Sequence, residues 1–395
     1  MKQTGTGSFE FATAGTIRFG YGISESADSF AVLRDTRVFL VTGSDPERHH
    51  AVVDAIRSQT TDLTTAQISG EPDTVELSRL ISLARSHRAE AVVSIGGGSV
   101  LDAGKATAAL LTNRGDLFQY LEIIGKGQSP SVEPAPFIAL PTTAGTGSEV
   151  TRNAVIHSTE HGVKVSMRSQ AMLPTLAIVD PGLCLSLPVK ATVFSGMDAA
   201  TQLIEAFTSR NAHTMTDAFC KEGLRHYALG FEPAVEHAQS GRNGAKATDS
   251  DRDARAHMCL ASLFSGLALA NAKLGAVHGI AGPVGGMTGS PHGALCASLL
   301  PEVTRANILR ADHETATRYE TVAGILFGPG TSAQDLADRL SAARETYQIP
   351  GLNSLGLTGE RYVEAAEKAV RSGSMKGNPV EYTVDDITGI LERSA

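Results

Sequence analysis

Residues 95–105, Ile-Gly-Gly-Gly-Ser-Val-Leu-Asp-Ala-Gly-Lys, decide the fold. The apolar run 91–95 is typical of a strand, and helix-forming residues follow the serine. Glycines between a strand and a helix leave backbone N–H groups uncovered, where the helix N-terminus adds partial positive charge. An ordinary turn needs one glycine and seldom three, so we interpret this loop, which lacks the GxGxxG fingerprint, as a pyrophosphate site. Its residues are Gly96, Gly97, Gly98 and Ser99.

Apolar and β-branched runs alternate with helical stretches around this loop. The strand-like runs are at 38–42, 63–68, 91–95 and 137–140. They are typical of strands buried on both faces of a sheet. Between the second and third runs, Asp73 and Glu76 have capping-box spacing and a helical apolar stripe follows them. The repeated strand, helix, strand pattern predicts a parallel α/β sheet.

The pattern changes after Pro188 to long helical segments. These segments are at 191–209, 214–229, 252–272 and 302–309. The turn at 180–182 marks a boundary, and the polar stretch 237–251 has the composition of an exposed, mobile loop. We expect an α/β domain at 1–185 and an all-helical domain at 186–395.

Composition limits the class of protein. The chain has 395 residues, 42% hydrophobic and 19% charged, with 40 glycines and a formal net charge of -8. The apolar fraction excludes a disordered chain, and the length predicts two lobes. The mild acidity argues against nucleic acid or an anionic membrane surface as partner, because both need a concentrated positive field. We expect a small-molecule ligand, no nucleic acid and no membrane.

The cysteines and the N-terminal residues bear on localisation. The cysteines are isolated, with no CxxC pair: Cys184, Cys220, Cys259 and Cys296. A chain of this length does not need disulfides, so we expect free thiols in a reducing cytoplasm. No apolar run long enough for a signal peptide or a membrane helix is visible.

A second small-residue cluster follows the last strand-like run. Residues 141–149 read Pro-Thr-Thr-Ala-Gly-Thr-Gly-Ser-Glu, and from Thr142 to Ser148 only Ala144 is neither glycine nor a hydroxyl residue. Such a segment can approach a ribose or a nicotinamide amide closely and donate hydrogen bonds to it. A solvated loop is the open alternative.

Five collinear segments carry a family resemblance. They are 96–105, 141–151, 178–181, 196–199 and 278–301. On these motifs the chain resembles the iron-containing, or group III, alcohol dehydrogenases. The resemblance implies the dehydroquinate synthase-like fold, with an N-terminal dinucleotide-binding α/β domain, an all-α C-terminal domain and a cleft that holds a divalent metal. It also implies a homodimer formed through an edge strand, here 17–22.

The resemblance also implies a metal set with two departures. Asp198, His278 and His292 match the metal-binding aspartate and two histidines, and they are the expected catalytic residues. Gln202 stands where the family has its remaining metal histidine, so it is either a weak fourth ligand of Fe²⁺ or Zn²⁺ or a hydrogen-bonding group in a site without metal. Gly282 replaces a histidine that is sometimes assigned to proton relay.

Cofactor residues follow in the same way. Gly43 stands where NAD-preferring members often have an aspartate, so we expect NADP(H) over NAD(H), with Ser44 and a nearby guanidinium for the 2′-phosphate. In the alternative, Asp45 takes the aspartate's role. Besides the pyrophosphate loop, the expected contacts are Asp102, Thr142, Thr143, Thr146, Ser148, Lys164 and Leu183.

The expected activity is reversible hydride transfer between nicotinamide C4 and a small or polar aldehyde or ketone. Three alternatives stay open: a metal-independent reductase of the same family, a lyase similar to dehydroquinate synthase, and a non-catalytic protein that binds the cofactor. The aspartate and the few basic residues near the metal set argue against the lyase.

Overall fold

The computed structural model describes residues 8–242 and 246–395. The described chain divides into two compact units. The first unit is Ala12–Leu187 together with Arg242 and 246–259, and the second unit comprises 8–11, Pro188–Gly241 and Leu260–Ala395. The segment 246–259 falls in the first unit, whereas its sequence position assigns it to the helical domain. Buried contacts explain this, because Arg255 donates to the carbonyl of Leu187. The predicted boundary at 185/186 otherwise stays a prediction.

A six-stranded parallel sheet forms the centre of the first unit. Its strands, in spatial order, are β1 (Thr16–Phe19), β8 (Leu176–Val179), β5 (Phe137–Pro141), β4 (Ala91–Gly96), β2 (Arg37–Thr42) and β3 (Asp62–Gln67). Strands β4, β5 and β8 are buried along their whole length, and β2 is buried in all but its first residue. This confirms the parallel α/β sheet that the apolar runs predict.

Within residues 12–187 of the first unit, three α-helices and one hairpin lie around the sheet. They are α1 (His50–Arg57), α2 (Thr74–Ser86), α3 (Gly98–Thr112) and the antiparallel pair of β6 (Asn153–Ser158) and β7 (Val163–Arg168). The carboxylate of Asp73 caps α2 by accepting a hydrogen bond from Glu76 N at 2.7 Å, as the capping-box spacing predicts. Gly104 allows helix α3 to pack closely on β4, since a Cβ at this position would overlap Ser94 Oγ. The hairpin is absent from the sequence-based prediction.

The chain order places two loops at one edge of this sheet. Strand β2 connects onward to β3 on one side, whereas its neighbour β4 connects onward to β5 on the other side, so the switch point of the sheet lies between β2 and β4. The loops that follow β2 and β4 start at Gly43 and Gly97. In open parallel sheets, ligands bind at the carboxyl ends of the strands beside such a point.

The second unit is built from helices. They are α4 (Val189–Thr208), α5 (Thr214–Ser240), α7 (Ala276–Thr288), α8 (His292–Arg310), α9 (His313–Phe327), α10 (Ala333–Thr346), α11 (Tyr362–Val370) and α12 (Val384–Arg393), with most of α6 (Asp249–Ala272). Helix α5 extends through Ser240, so the first residues of the predicted polar loop are helical. Residues 243–245 of that loop lie outside the described residues.

No single helix in 8–242 or 246–395 is long and apolar enough to cross a bilayer. One helix pair, Asp249–Ala272 with Ala276–Thr288, meets the length and composition criteria only together, across a 97° bend.

Candidate active site

Helix α4 presents three polar side chains on one buried face. Asp198, Gln202 and Glu205 are spaced i, i+4 and i+7, which puts them on the same side of a helix. Their exposed fractions are 2%, 3% and 5%. Buried charges of this kind need partners, and neighbouring helices supply them.

Helices α7 and α8 bring two histidines toward this face. His278 lies in the first turn of α7, and His292 is the first residue of α8. Gly289 ends α7 in the left-handed conformation at φ 70°, as helix C-caps often do. Next to His292, Gly293 permits close packing on α4, because a Cβ there would lie 2.5 Å from the Phe194 carbonyl oxygen. The two glycines therefore allow the turn before His292 and the close approach of α8 to α4.

Four side chains converge into one cluster. One ligand atom from each of them lies within 4.8 Å of all the others: Asp198, His278, His292 and Cys296. Asp198 Oδ1 is 3.3 Å from His278 Nε2 and 3.8 Å from His292 Nε2. The sulfur of Cys296 lies 3.5 Å from His292 Nε2. The structure thus brings together the three predicted catalytic residues and adds a thiol that the sequence-based metal set lacks.

Glu205 fixes the orientation of His278. Its Oε2 is 2.6 Å from His278 Nδ1, and its Oε1 accepts from Val277 N at 2.6 Å. A carboxylate only accepts, so Nδ1 carries a proton and Nε2 is the ring atom that faces Asp198 Oδ1, to which it donates when the imidazole is cationic. With a metal bound, the same nitrogen would offer its lone pair to the ion. This is the carboxylate–histidine arrangement that supports metal ligands. Glu205 is missing from the sequence-based candidates, although its position two turns after Asp198 is a usable signal.

Gln202 uses both ends of its amide within this network. Its Nε2 donates to Asp198 Oδ2 at 3.0 Å, and its Oε1 accepts from Ser265 Oγ at 2.6 Å. Reversing the amide would place its oxygen against the carboxylate oxygen, which is repulsive. These contacts orient the second oxygen of Asp198. Whether Gln202 also binds a metal stays a prediction.

The cluster also changes the proton affinities of its members. Burial raises the pKa of Asp198, but the hydrogen bond with His278 and the nearby imidazoles outweigh it and leave the pKa below its usual value. Burial likewise raises the pKa of the Cys296 thiol, yet His292 and His278 lower it overall. Mutual stabilisation of anionic and cationic forms is typical of functional sites.

The donor set fits a divalent metal. Fe²⁺ and Zn²⁺ accept carboxylate and imidazole ligands, and zinc also accepts thiolate. Ligand bonds of about 2.0 to 2.3 Å put donors on opposite sides of an ion roughly 4 Å apart, so the span of the cluster suits one ion. The side chain of His292 is 37% exposed, which leaves one side of the cluster open to a small molecule.

Gly282 leaves space near the middle of α7. A Cβ built there meets no atom within 4 Å. A glycine cannot relay a proton, so the residue that the family resemblance assigns to that role is absent at this position of α7.

The predicted pyrophosphate loop of the first unit packs against the second small-residue cluster. A Cβ on Gly98 would lie 2.7 Å from Thr146 Cγ2, and one on Gly97 would lie 3.3 Å from Thr143 Cγ2. Thr142 N donates to the Gly96 carbonyl at 2.9 Å. Ser99 lies in the first turn of α3. Sequence-predicted contacts from both loops therefore lie side by side at the carboxyl ends of β4 and β5.

Asp102 and Ser148 are joined to each other. Ser148 Oγ donates to Asp102 Oδ1 at 2.6 Å, and Val155 N donates to Asp102 Oδ2 at 3.0 Å. Lys105, absent from the sequence-based candidates, lies fully buried beside them and donates to the Ser148 carbonyl and the Asn153 carbonyl, each at 2.8 Å. Burial lowers the pKa of Lys105 to about 8. This network holds the two loops and the β-hairpin together.

The residues after β2 carry no carboxylate at the first position. Gly43 is half-buried and Ser44 is exposed. Arg48, a guanidinium that the sequence places near the expected 2′-phosphate, donates to Ser186 Oγ. Asp45 makes no side-chain hydrogen bond to the turn that follows it.

The two remaining predicted contacts have other partners. Lys164 Nζ forms an ion pair with Glu71 Oε2 at 2.7 Å, and its side chain is 8% exposed. Leu183 is partly buried and packs against the apolar core on one face of the sheet. Their contacts with a cofactor stay predictions.

Known proteins resemble this chain over nearly its whole length. The family described as "Iron-containing alcohol dehydrogenase" matches residues 14–181, and "Fe-containing alcohol dehydrogenase family, C-terminal" matches residues 192–395. A 1,3-propanediol dehydrogenase of Klebsiella pneumoniae is 34% identical over 319 residues, which are 80% of this chain and 78% of that protein.

Solved structures give the same relationship. A 1,3-propanediol oxidoreductase has a TM-score of 0.86 and 29% identity, covering 98% of this chain and 100% of its own. A sulfoacetaldehyde reductase from Bifidobacterium kashiwanohense, solved in complex with NAD⁺, has a TM-score of 0.84 and 30% identity, covering 98% and 99%. The chain therefore belongs to the iron-containing alcohol dehydrogenase family, whose members use NAD(P) and a divalent metal, and it is an NAD(P)-dependent oxidoreductase of alcohols and aldehydes.

Proposed function

We propose that this enzyme is a metal-dependent reductase of small or polar aldehydes that prefers NADPH. The observation that carries the proposal is the convergence of Asp198, His278 and His292, with Glu205 behind His278. An apolar group would pack better than a buried carboxylate between two imidazoles, so packing does not account for this cluster. Clusters of this kind mark functional sites.

Different residues of the chain would bind the metal and orient its ligands. Asp198, His278 and His292 would hold Fe²⁺ or Zn²⁺, and Gln202 orients Asp198 by donating to its Oδ2. The metal supplies Lewis acidity that stabilises negative charge on a carbonyl oxygen, and the nicotinamide supplies the hydride. Glu205 keeps the Nε2 lone pair of His278 available, and the partly exposed ring of His292 borders the side from which a carbonyl compound can enter.

The proposed substrate class rests on small residues in α7 and the turn after it. Gly282, Gly285, Gly286 and Gly289 remove side-chain volume there, and Gly282 leaves open space. Open space of this kind suits an aldehyde with a polar or bulky substituent better than acetaldehyde. Some relatives are named for 1,3-propanediol, 4-hydroxybutyrate or sulfoacetaldehyde, and these compounds carry polar substituents.

A panel of aldehydes tests the proposal. The rate of NADPH oxidation would be measured with acetaldehyde, 3-hydroxypropanal, succinic semialdehyde and sulfoacetaldehyde. We expect higher kcat/KM for at least one polar aldehyde than for acetaldehyde. Acetaldehyde as the best substrate would contradict the substrate class. Saturable NADPH binding without turnover of any aldehyde would instead favour the non-catalytic alternative.

Gly43 is expected to decide the choice between NADPH and NADH. Gly43→Asp should lower kcat/KM for NADPH at least about tenfold relative to NADH, because a carboxylate repels the 2′-phosphate. Gly43→Ala is the matched control, since its Cβ would lie 4.0 Å from Val100 Cγ2, an ordinary contact, and adds no charge. Steady-state rates with both cofactors measure the effect. An NADH preference in the wild-type enzyme would refute the proposed selectivity.

We also propose a homodimer and a cytoplasmic location. Strand β1 is an edge strand of the six-stranded sheet, which supports the proposal of a homodimer formed through residues near it. Sedimentation equilibrium would test the dimer, and a monomer at micromolar concentration would exclude it. The four cysteines are free thiols, in keeping with the proposed reducing cytoplasm.

A further inference from the structure

The cluster on α4, α7 and α8 contains a fourth donor. His292 and Cys296 are one turn apart on α8, so both side chains reach the same side of the helix. The thiol is fully buried, and its sulfur lies within the 4.8 Å span that encloses the ligand atoms of Asp198, His278 and His292.

The position where the family resemblance implies a histidine offers no such donor. The Oε1 atom of Gln202 accepts from Ser265 Oγ, and its Nε2 faces Asp198 Oδ2. An amide NH₂ cannot bind a cation, and turning the amide would oppose two acceptor oxygens. Gln202 therefore positions Asp198, and the remaining ligand has to come from another residue.

We infer that the thiolate of Cys296 is the fourth protein ligand of the active-site metal, and that it takes the place of the histidine absent at 202. The inference rests on the proposed function in requiring that a metal binds this cluster. On coordination a metal–sulfur bond forms, the S–H bond breaks and the proton passes to the buffer.

The donor set has a consequence for metal choice. Asp198 and Cys296 together contribute two negative charges, which balance a divalent ion. Thiolate is a soft ligand, so the site should prefer Zn²⁺ to the harder ions Mg²⁺ and Mn²⁺. Zinc sites can expand to five ligands during catalysis, so a substrate oxygen can still approach on the side of His292.

Cobalt substitution tests the sulfur ligand independently of activity. The full chain would be stripped with a chelator, loaded with Co²⁺ without oxygen and examined by absorption spectroscopy. We expect visible d–d bands from bound Co²⁺ and a near-ultraviolet thiolate-to-cobalt charge-transfer band. Cys296→Ser should lose the charge-transfer band, keep the d–d bands and weaken Zn²⁺ binding at least about tenfold, since even outer-shell changes cost 10 to 100-fold.

Two controls separate the possible explanations. Cys220→Ala removes a buried thiol on α5 outside the cluster and should keep the charge-transfer band, and Gln202→Ala should keep it as well. The wild-type spectrum decides the question even when the variants fail to fold. Bound Co²⁺ with d–d bands and no charge-transfer band would overturn the sulfur ligand and leave the proposed metal-dependent reaction standing. Failure of Co²⁺ to bind a chain that is active without metal would overturn both.

Discussion

Replacement of Asp198 by asparagine should lower kcat/KM for aldehyde reduction about a thousandfold or more, because a Lewis-acid centre supplies several kcal/mol and each 1.36 kcal/mol is tenfold. One oxygen of Asp198, Oδ1, faces both histidines, at 3.3 Å from His278 Nε2 and 3.8 Å from His292 Nε2. An asparagine has one acceptor oxygen and one NH₂ group. It must therefore present an NH₂ either to the donating amide of Gln202 or to the imidazole nitrogens.

Steady-state kinetics and metal analysis of the purified variant check this result. The variant should hold much less metal than the wild type at the same metal concentration. Asp54→Asn is the matched control, since Asp54 is exposed on α1 and its partner is Arg57. A loss of less than tenfold, with folding intact by circular dichroism, would remove Asp198 from the catalytic centre.

Replacement of Glu205 by glutamine should weaken metal binding by about 10 to 100-fold, which is the usual cost of changing a residue that holds a metal ligand in place. The two oxygens of Glu205 accept from two donors, Val277 N and His278 Nδ1. Glutamine satisfies only one of them. When its NH₂ faces His278, the ring proton moves to Nε2 and the lone pair that should bind the metal is lost.

Competition with a metal-binding dye measures this change directly. The structural cost is followed by thermal unfolding, because a buried unsatisfied donor also lowers stability by about 1 to 3 kcal/mol. Glu222→Gln on the exposed face of α5 serves as control. An unchanged metal affinity in Glu205→Gln, together with a lowered melting temperature, would reduce Glu205 to a structural residue.

Much of the first unit follows from sequence pattern. The apolar runs at 38–42 and 91–95 match β2 and β4 to within one residue, because fully buried parallel strands have continuous hydrophobic sequences. The spacing of Asp73 and Glu76 likewise identifies the start of α2. The β6–β7 hairpin does not have such a continuous apolar run. Buried and more exposed residues alternate along its strands, and Ser, His, Lys and Arg stand between the apolar residues.

The site divides in the same way. Asp198, His278 and His292 are identifiable from the sequence, because they match the metal-binding residues in the motifs that carry the family resemblance. Cys296 is not, because a buried cysteine is usually a small apolar residue, and only the approach of α8 to α4 brings its sulfur among the other donors.

Lys105 shows a second limit of sequence reasoning. A lysine in the first turns of a helix near a phosphate loop reads as a surface or ligand-binding group. Its ammonium group is buried among four oxygen acceptors that one distant segment, residues 148–153, supplies, including the Ser148 and Asn153 carbonyls. Contacts of this kind depend on tertiary structure and leave no periodic signal.

Metal content and metal dependence of the wild-type enzyme test the central claim most directly. The protein would be purified without chelator, its metals quantified by mass spectrometry, and its aldehyde reductase activity measured before chelation, after chelation and after Fe²⁺ or Zn²⁺ is returned. We predict about one divalent ion per chain, loss of activity on its removal and recovery on its return. Full activity in a sample free of metal would contradict the account.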